Sequence, residues 1–202
     1  MLSNLVVNLF IKTPETPVNY IVAQLNDKIT PADKRMLYTN PLASILEERK
    51  YGEVAGGGTA KEESGEILFC DIQIELANEK IDYAVIREII DNLEACGAPK
   101  GSKIIIDETQ EVIPFGKMEG IAVYLDVENL QQYDYNQYDI DFIQNELYKL
   151  TGAEQNADRY WEDQTTTALY FYGPSFENMK NNIRHFIATY PLCHKAKMMQ
   201  IA

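Results

Sequence analysis

One order of segments occurs twice along this chain, and no other property of the sequence narrows the available folds as much. Each half opens on residues that alternate apolar and polar, then enters a helical pattern closed by glycine. It passes through two alternating stretches about a polar turn, and returns through a second helical pattern to a short strand pattern. In the first half, Leu5, Val7, Leu9 and Ile11 alternate with their neighbours from Leu5 to Lys12. A Pro- and Thr-bearing stretch from Thr13 to Thr30 holds a helical piece at Val18 to Leu25, and Pro31 then opens a helix over Ala32 to Lys50 that the Asn40-Pro41 pair is expected to break. Glu53 to Thr59 and Glu66 to Leu76 form a pair of strands about the turn at Lys61 to Gly65. Ile81, Val85, Ile86, Ile89, Ile90 and Leu93 follow at helical spacing, stopped by Gly97 and Pro99, and Lys103 to Asp107 is the closing strand.

The order restarts near residue 119. Ile121, Val123, Leu125 and Val127 alternate, Ile140, Ile143, Leu147 and Leu150 line a helix ended by Gly152, and Ala157 to Asp163 pairs with Thr166 to Tyr172. Ser175 is placed to cap a helix carrying Phe176, Met179, Ile183, Ile187 and Tyr190; Pro191 stops it, and Lys195 to Ile201 is the last strand. The halves share element order and little residue identity. The reading is therefore an α+β protein of two units, 1–112 and 113–202, each β-α-β-β-α-β with an antiparallel sheet. The plain alternative is a single α+β sheet without internal symmetry.

Charge excludes several partners. The 202 residues include 18 basic and 31 acidic side chains, a net charge of −13, and both halves are acidic. Such a surface repels phosphate backbones and anionic lipid headgroups, so neither nucleic acid nor membrane is expected as a partner. No stretch approaches the roughly 18 apolar residues of a membrane span, and the start of the chain has neither basic leader nor small-residue cleavage site. Cys70, Cys96 and Cys193 are odd in number and lack metal-ligand spacing, which fits buried thiols in a reducing, cytoplasmic compartment. His185 and His194 have no convergent ligand set, so no metal and no cofactor are expected.

The glycine runs read as structure. Gly56-Gly57-Gly58 leads into a hairpin turn and lacks the helix N-terminus that a phosphate loop needs, so a bulged strand end is favoured. Gly97 to Ser102 leads from a helix into a strand, the wrong polarity for an anion site.

Binding candidates come from alternation. Asp71 and Glu75 point to the sheet face that carries no helices, in company with Val6, Phe10 and Phe69; Tyr124, Asp126, Tyr170 and Tyr172 do so in the second half. Aromatics beside acids suit recognition of a partner or a ligand, unless the halves pack these faces together. Tyr133, Tyr135 and Tyr138, interleaved with Asp134 and Asp139, form a second candidate, and the exposed turn acids Glu62 and Glu63 a third. No residue carries a catalytic signature, although Asp71, Glu75 or Tyr124 would be the groups available to an enzyme.

The duplicated order resembles tandem ferredoxin-like folds, including pseudo-dimeric domains that hold small molecules in a cleft between two halves. The small, acidic character is also similar in a general way to bacterial immunity proteins that neutralise toxins. What these resemblances imply is a non-enzymatic module, monomeric or dimeric, that binds a basic protein partner, with a toxin as the sharpest case. The alternative is a small-molecule sensor or carrier.

Overall fold

The computed structural model describes residues 19–127 and 138–202. Its chain order is β1 (Asn19–Leu25), α1 (Pro31–Lys34) running through a π-helical turn (Arg35–Thr39) into α2 (Asn40–Arg49), β2 (Gly52–Gly56), β3 (Thr59–Lys61), β4 (Ile67–Leu76), α3 (Tyr83–Ala95), β5 (Ser102–Ile106) and β6 (Val112–Phe115). A second set follows: β7 (Glu119–Asp126), α4 (Tyr138–Thr151), β8 (Tyr160–Glu162), β9 (Thr166–Gly173), α5 (Phe176–Thr189) and β10 (Lys197–Gln200). The first sheet has the order β2-β4-β1-β5-β6 with β3 also on β4, and the second has the order β10-β7-β9-β8. All ladders are antiparallel. In both sheets the first strand of the unit is flanked by its third and fourth, which is the ferredoxin-like arrangement of an α+β protein built from two tandem units.

Two local expectations need correction. The expected first strand, Leu5 to Lys12, lies outside the described residues, and the centre of the first sheet is β1, in the stretch read as a helical piece. In β1, Ile21, Ala23 and Leu25 are fully buried while Tyr20, Val22 and Gln24 are half-buried, a period of two. The helix also passes through Asn40-Pro41. The π turn widens the backbone just before the proline, with the Asn40 amide donating to the Arg35 carbonyl five residues back, so the missing amide of Pro41 falls at a fresh first turn. Beyond the expected boundary at 112, β6 pairs with β5 in the first sheet.

Each sheet carries its helices on one face. In the first unit Ile21, Ile72, Ile74 and Ile104 pack against Leu42, Leu46, Ile86, Ile89 and Leu93. In the second, Ile121, Val123, Leu169 and Phe171 pack against Ile143, Leu147, Met179, Ile183 and Ile187. Each such side chain contributes about 1.5–3 kcal/mol relative to exposure, before chain entropy is counted. The Asp82 carboxylate caps α3 by accepting from the Ala84 amide at 2.8 Å, and Ser175 caps α5 as its sequence position implies. The triple glycine splits the edge strand. Gly57 has φ +154°, and a Cβ there would meet the Asp71 carbonyl oxygen at 2.2 Å, so the run is the close backbone approach that the sequence suggested.

Candidate functional site

The helix-free face of the second sheet is largely spent on the other unit. Tyr170 and Tyr172, clustered with the fully buried Ala122 and Ala168, reach the first unit: the Tyr172 hydroxyl accepts from the Lys28 amide in the β1–α1 loop at 3.0 Å, and Tyr170 donates to Glu66 beside the β3–β4 turn at 2.8 Å. The buried centre of this contact is an ion pair. Arg159 donates through Nε to Asp27 Oδ1 at 2.8 Å and through Nη2 to Oδ2 at 3.0 Å, while the Tyr38 hydroxyl donates to the same Oδ2 at 2.7 Å. Asp27 is fully buried, and burial together with that carboxylate holds the Tyr38 phenol well above its usual range. A second network lies nearer solvent: Glu66 Oε1 accepts from Lys28 Nζ at 3.0 Å, Tyr170 at 2.8 Å and Tyr124 at 3.2 Å. Burial works to raise the Glu66 carboxyl, but donation from Lys28 and Tyr170 outweighs it and holds the group below its ordinary value.

Tyr170 and Tyr172, expected as binding residues on an open face, are therefore buried between the units and absent from the surface; the packing alternative accounts for them. Tyr124 is half-buried at the rim of the same contact, its ring edge-on to Tyr170 at 6.5 Å. Asp126 lies one pleat further along that face. Asp71 and Glu75 are on the helix-free face of the first sheet, where Glu75 accepts from the Tyr20 hydroxyl at 3.0 Å and Asp71 from Gln24 at 3.4 Å. Hydrogen bonding to Glu75 raises the Tyr20 phenol. Glu62 and Glu63 are exposed at the β3–β4 turn. Tyr133 and Tyr135 lie outside the described residues, and Tyr138 opens α4. The described candidates thus fall into separate regions, and no single site among the described residues unites them.

A cleft that residue patterns did not single out has the clearest shape and charge. A cavity of about 580 Å³ lies on the helix-bearing side of the second sheet, between α4 and the edge strand β8. Asp141 comes from α4; Asp158, Tyr160 and Glu162 come from the β8 segment; Thr167 and Leu169 form the floor. Tyr160 is 50% exposed, and no basic side chain stands among the described lining residues. The signal was present as Asp158, Tyr160 and Glu162 at spacing two, which puts all three on one side of a strand. It was hidden because Glu162 reads equally well as a solvated turn acid. The cleft can receive a cation: a unit charge 4 Å from a carboxylate gains about 1 kcal/mol in water and about 4 kcal/mol where solvent is partly excluded, and the Tyr160 ring adds a face for it.

The chain matches no protein-family model and no curated protein. Among solved structures it is similar to an unknown protein from Galdieria sulphuraria at 8% identity and a TM-score of 0.28, with 91% of this chain and 98% of that one covered.

Proposed function

We propose that the protein is a non-enzymatic binding module for a basic protein partner, with the acidic cleft between α4 and β8 receiving a lysine or arginine side chain of that partner. The observation that supports this most directly is the convergence of Asp141, Asp158 and Glu162 around the half-exposed ring of Tyr160. A net charge of −13 favours encounter with a positive surface, and a desolvated aromatic anchor slows release. Neutralisation of a basic toxin is the sharpest form of this reading, and a cytoplasmic location goes with it. Cys70, Cys96 and Cys193 are all free thiols, which suits a reducing compartment. No helix among the described residues is long and apolar enough to cross a membrane.

The test is capture of the partner from the source organism, followed by surface plasmon resonance. Raising salt is expected to lower the association rate, and Asp141→Lys combined with Glu162→Lys to act in the same direction. Tyr160→Ala is expected to raise dissociation, at a cost of about 2 kcal/mol if it is a true anchor. An acidic partner, or an association rate indifferent to salt, would sink the proposal.

A further inference from the structure

Part of the second sheet's helix-free face escapes the contact between the units, and basic side chains outnumber acidic ones in the cavity that opens there. A cavity of about 560 Å³ opens there, lined by Tyr124, Asp126, Thr166, Lys195, Lys197 and Met199. That volume lies within the range of small-molecule sites. Strand register assembles the lining: Lys197 faces Tyr124 across the β10–β7 ladder, and Asp126 faces Thr166 across β7–β9. Alternation then brings these side chains to one face. Neither Lys195 nor Lys197 forms an ion pair with any described carboxylate. In a chain with 31 acidic residues, the lining itself holds two lysines, neither paired with a described carboxylate, against one aspartate.

The backbone supplies an independent observation. Lys195 has φ +66°, in the left-handed region where glycine is at ease and a larger side chain is strained. The residue in that conformation is one of the two lysines that line the cavity. Met199, 53% exposed, offers an apolar surface beside the two cations. Tyr124 brings no charge of its own: burial and the neighbouring Glu66 push its phenol up to about 12.

We infer that this cavity binds a small organic anion, whose carboxylate or phosphate group meets Lys195 and Lys197 and whose apolar part rests on Met199. The ligand is a free solute. A net charge of −13 repels a polyanion or an anionic bilayer, whereas a small ion can reach a pocket where two lysines lie close together. The acidic cleft lies on the other face of the same sheet, so either proposal can fail without the other.

The experiment is a nitrogen-15 NMR titration of the full chain with phenyl phosphate, benzoate and inorganic phosphate, beside sedimentation with phosphatidylglycerol vesicles. Phenyl phosphate and benzoate are expected to shift the amides of Thr165, Thr166, Lys195 and Lys197, and phenyl phosphate to bind about tenfold more tightly than inorganic phosphate. Lys195→Gly with Lys197→Ala is expected to weaken binding of both organic probes by about tenfold. Lys195→Gly alone should leave the thermal midpoint unchanged or raised, because glycine adopts that φ freely, so lost binding would not reflect unfolding. Equal affinity of the double variant and wild type, shifts confined to other residues, or no saturation at millimolar concentrations would overturn the site. Inorganic phosphate binding as tightly as phenyl phosphate would overturn the role of Met199, and cosedimentation with the vesicles would overturn the free-solute assignment.

Discussion

The two helix-free sheet faces have the same topology and opposite fates. On the second sheet, Ala122, Ala168, Tyr170 and Tyr172 form a buried cluster, and the two tyrosine hydroxyls meet the first unit, Tyr172 accepting from the Lys28 amide and Tyr170 donating to Glu66. On the first sheet, Val112, Ile105 and Val22 make an apolar row between polar ones, with Tyr20, Glu75 and Glu53 on one flank and Lys103, Gln24 and Asp71 on the other. Val112 there is 53% exposed, whereas Tyr170 is 1% exposed. Alternating aromatics and acids along a strand therefore mark a face that meets something, but they do not distinguish another part of the same chain from an outside partner. Small residues at the centre of the face do help. Ala122 and Ala168 are fully buried in the middle of the second face, and the first sheet has half-buried valine and isoleucine in the corresponding middle row.

The comparison breaks most visibly at the buried ion pair. Arg159→Ala strands the fully buried Asp27 without its cation, and removal of one partner from such a pair costs about 3–5 kcal/mol. Urea denaturation should register this as a lower midpoint. A loss below about 1 kcal/mol, the size of an exposed pair, would mean that the contact is much wetter than the geometry indicates.

Next in size is Glu66, which accepts from three donors in the outer network. Hydrogen bonds to a charged group contribute about 1.5–3 kcal/mol each, so Glu66→Gln, which removes the charge, should lower stability at neutral pH by at least the lower figure. Because the folded-state carboxyl is held below its ordinary value of 4.5, its contribution is present above that value and is lost as pH falls through the lower folded one. The wild type should therefore lose more stability than Glu66→Gln between pH 5 and the acid limit of folding, a difference that chemical denaturation at stepped pH would detect. Parallel curves would contradict it.

The smallest effect belongs to the first sheet. Tyr20→Ala removes a bond to Glu75 on a face that no described helix covers, and should change stability by no more than about 1 kcal/mol. A larger loss in thermal melts would show that this face is covered as the second one is, and the contrast between the two sheets would vanish.

Much of the architecture was legible because it rests on local periods. The 3.6-residue pattern of Ile86, Ile89 and Leu93, the alternation of Cys70, Ile72 and Ile74, and the cap at Ser175 all depend on residues within one or two turns of each other. β1 was misread for a reason that such patterns cannot remove. Val18, Ile21, Val22 and Leu25 satisfy the helical spacing, while Ile21, Ala23 and Leu25 satisfy the strand spacing, and only pairing with β4 and β5 on both sides selects the strand. The candidate residues divide along the same line: Glu62 and Glu63 are exposed and Asp71 and Glu75 half-buried on the helix-free face, whereas Tyr170 and Tyr172 are buried.

By itself the sequence determined most helices and strands, the repeated order in which they come, and that the whole would be strongly acidic, since side-chain period and net charge are properties of neighbours and of sums. Only the tertiary structure decided that Asp27 would meet Arg159 across 132 residues, that one helix-free face would be buried and the other left half-open, and that carboxylates and lysines would gather on opposite sides of the second sheet. These outcomes depend on how two finished surfaces fit. Fit is set by shape and by the satisfaction of buried polar groups between distant segments, for which a linear pattern carries no period to read.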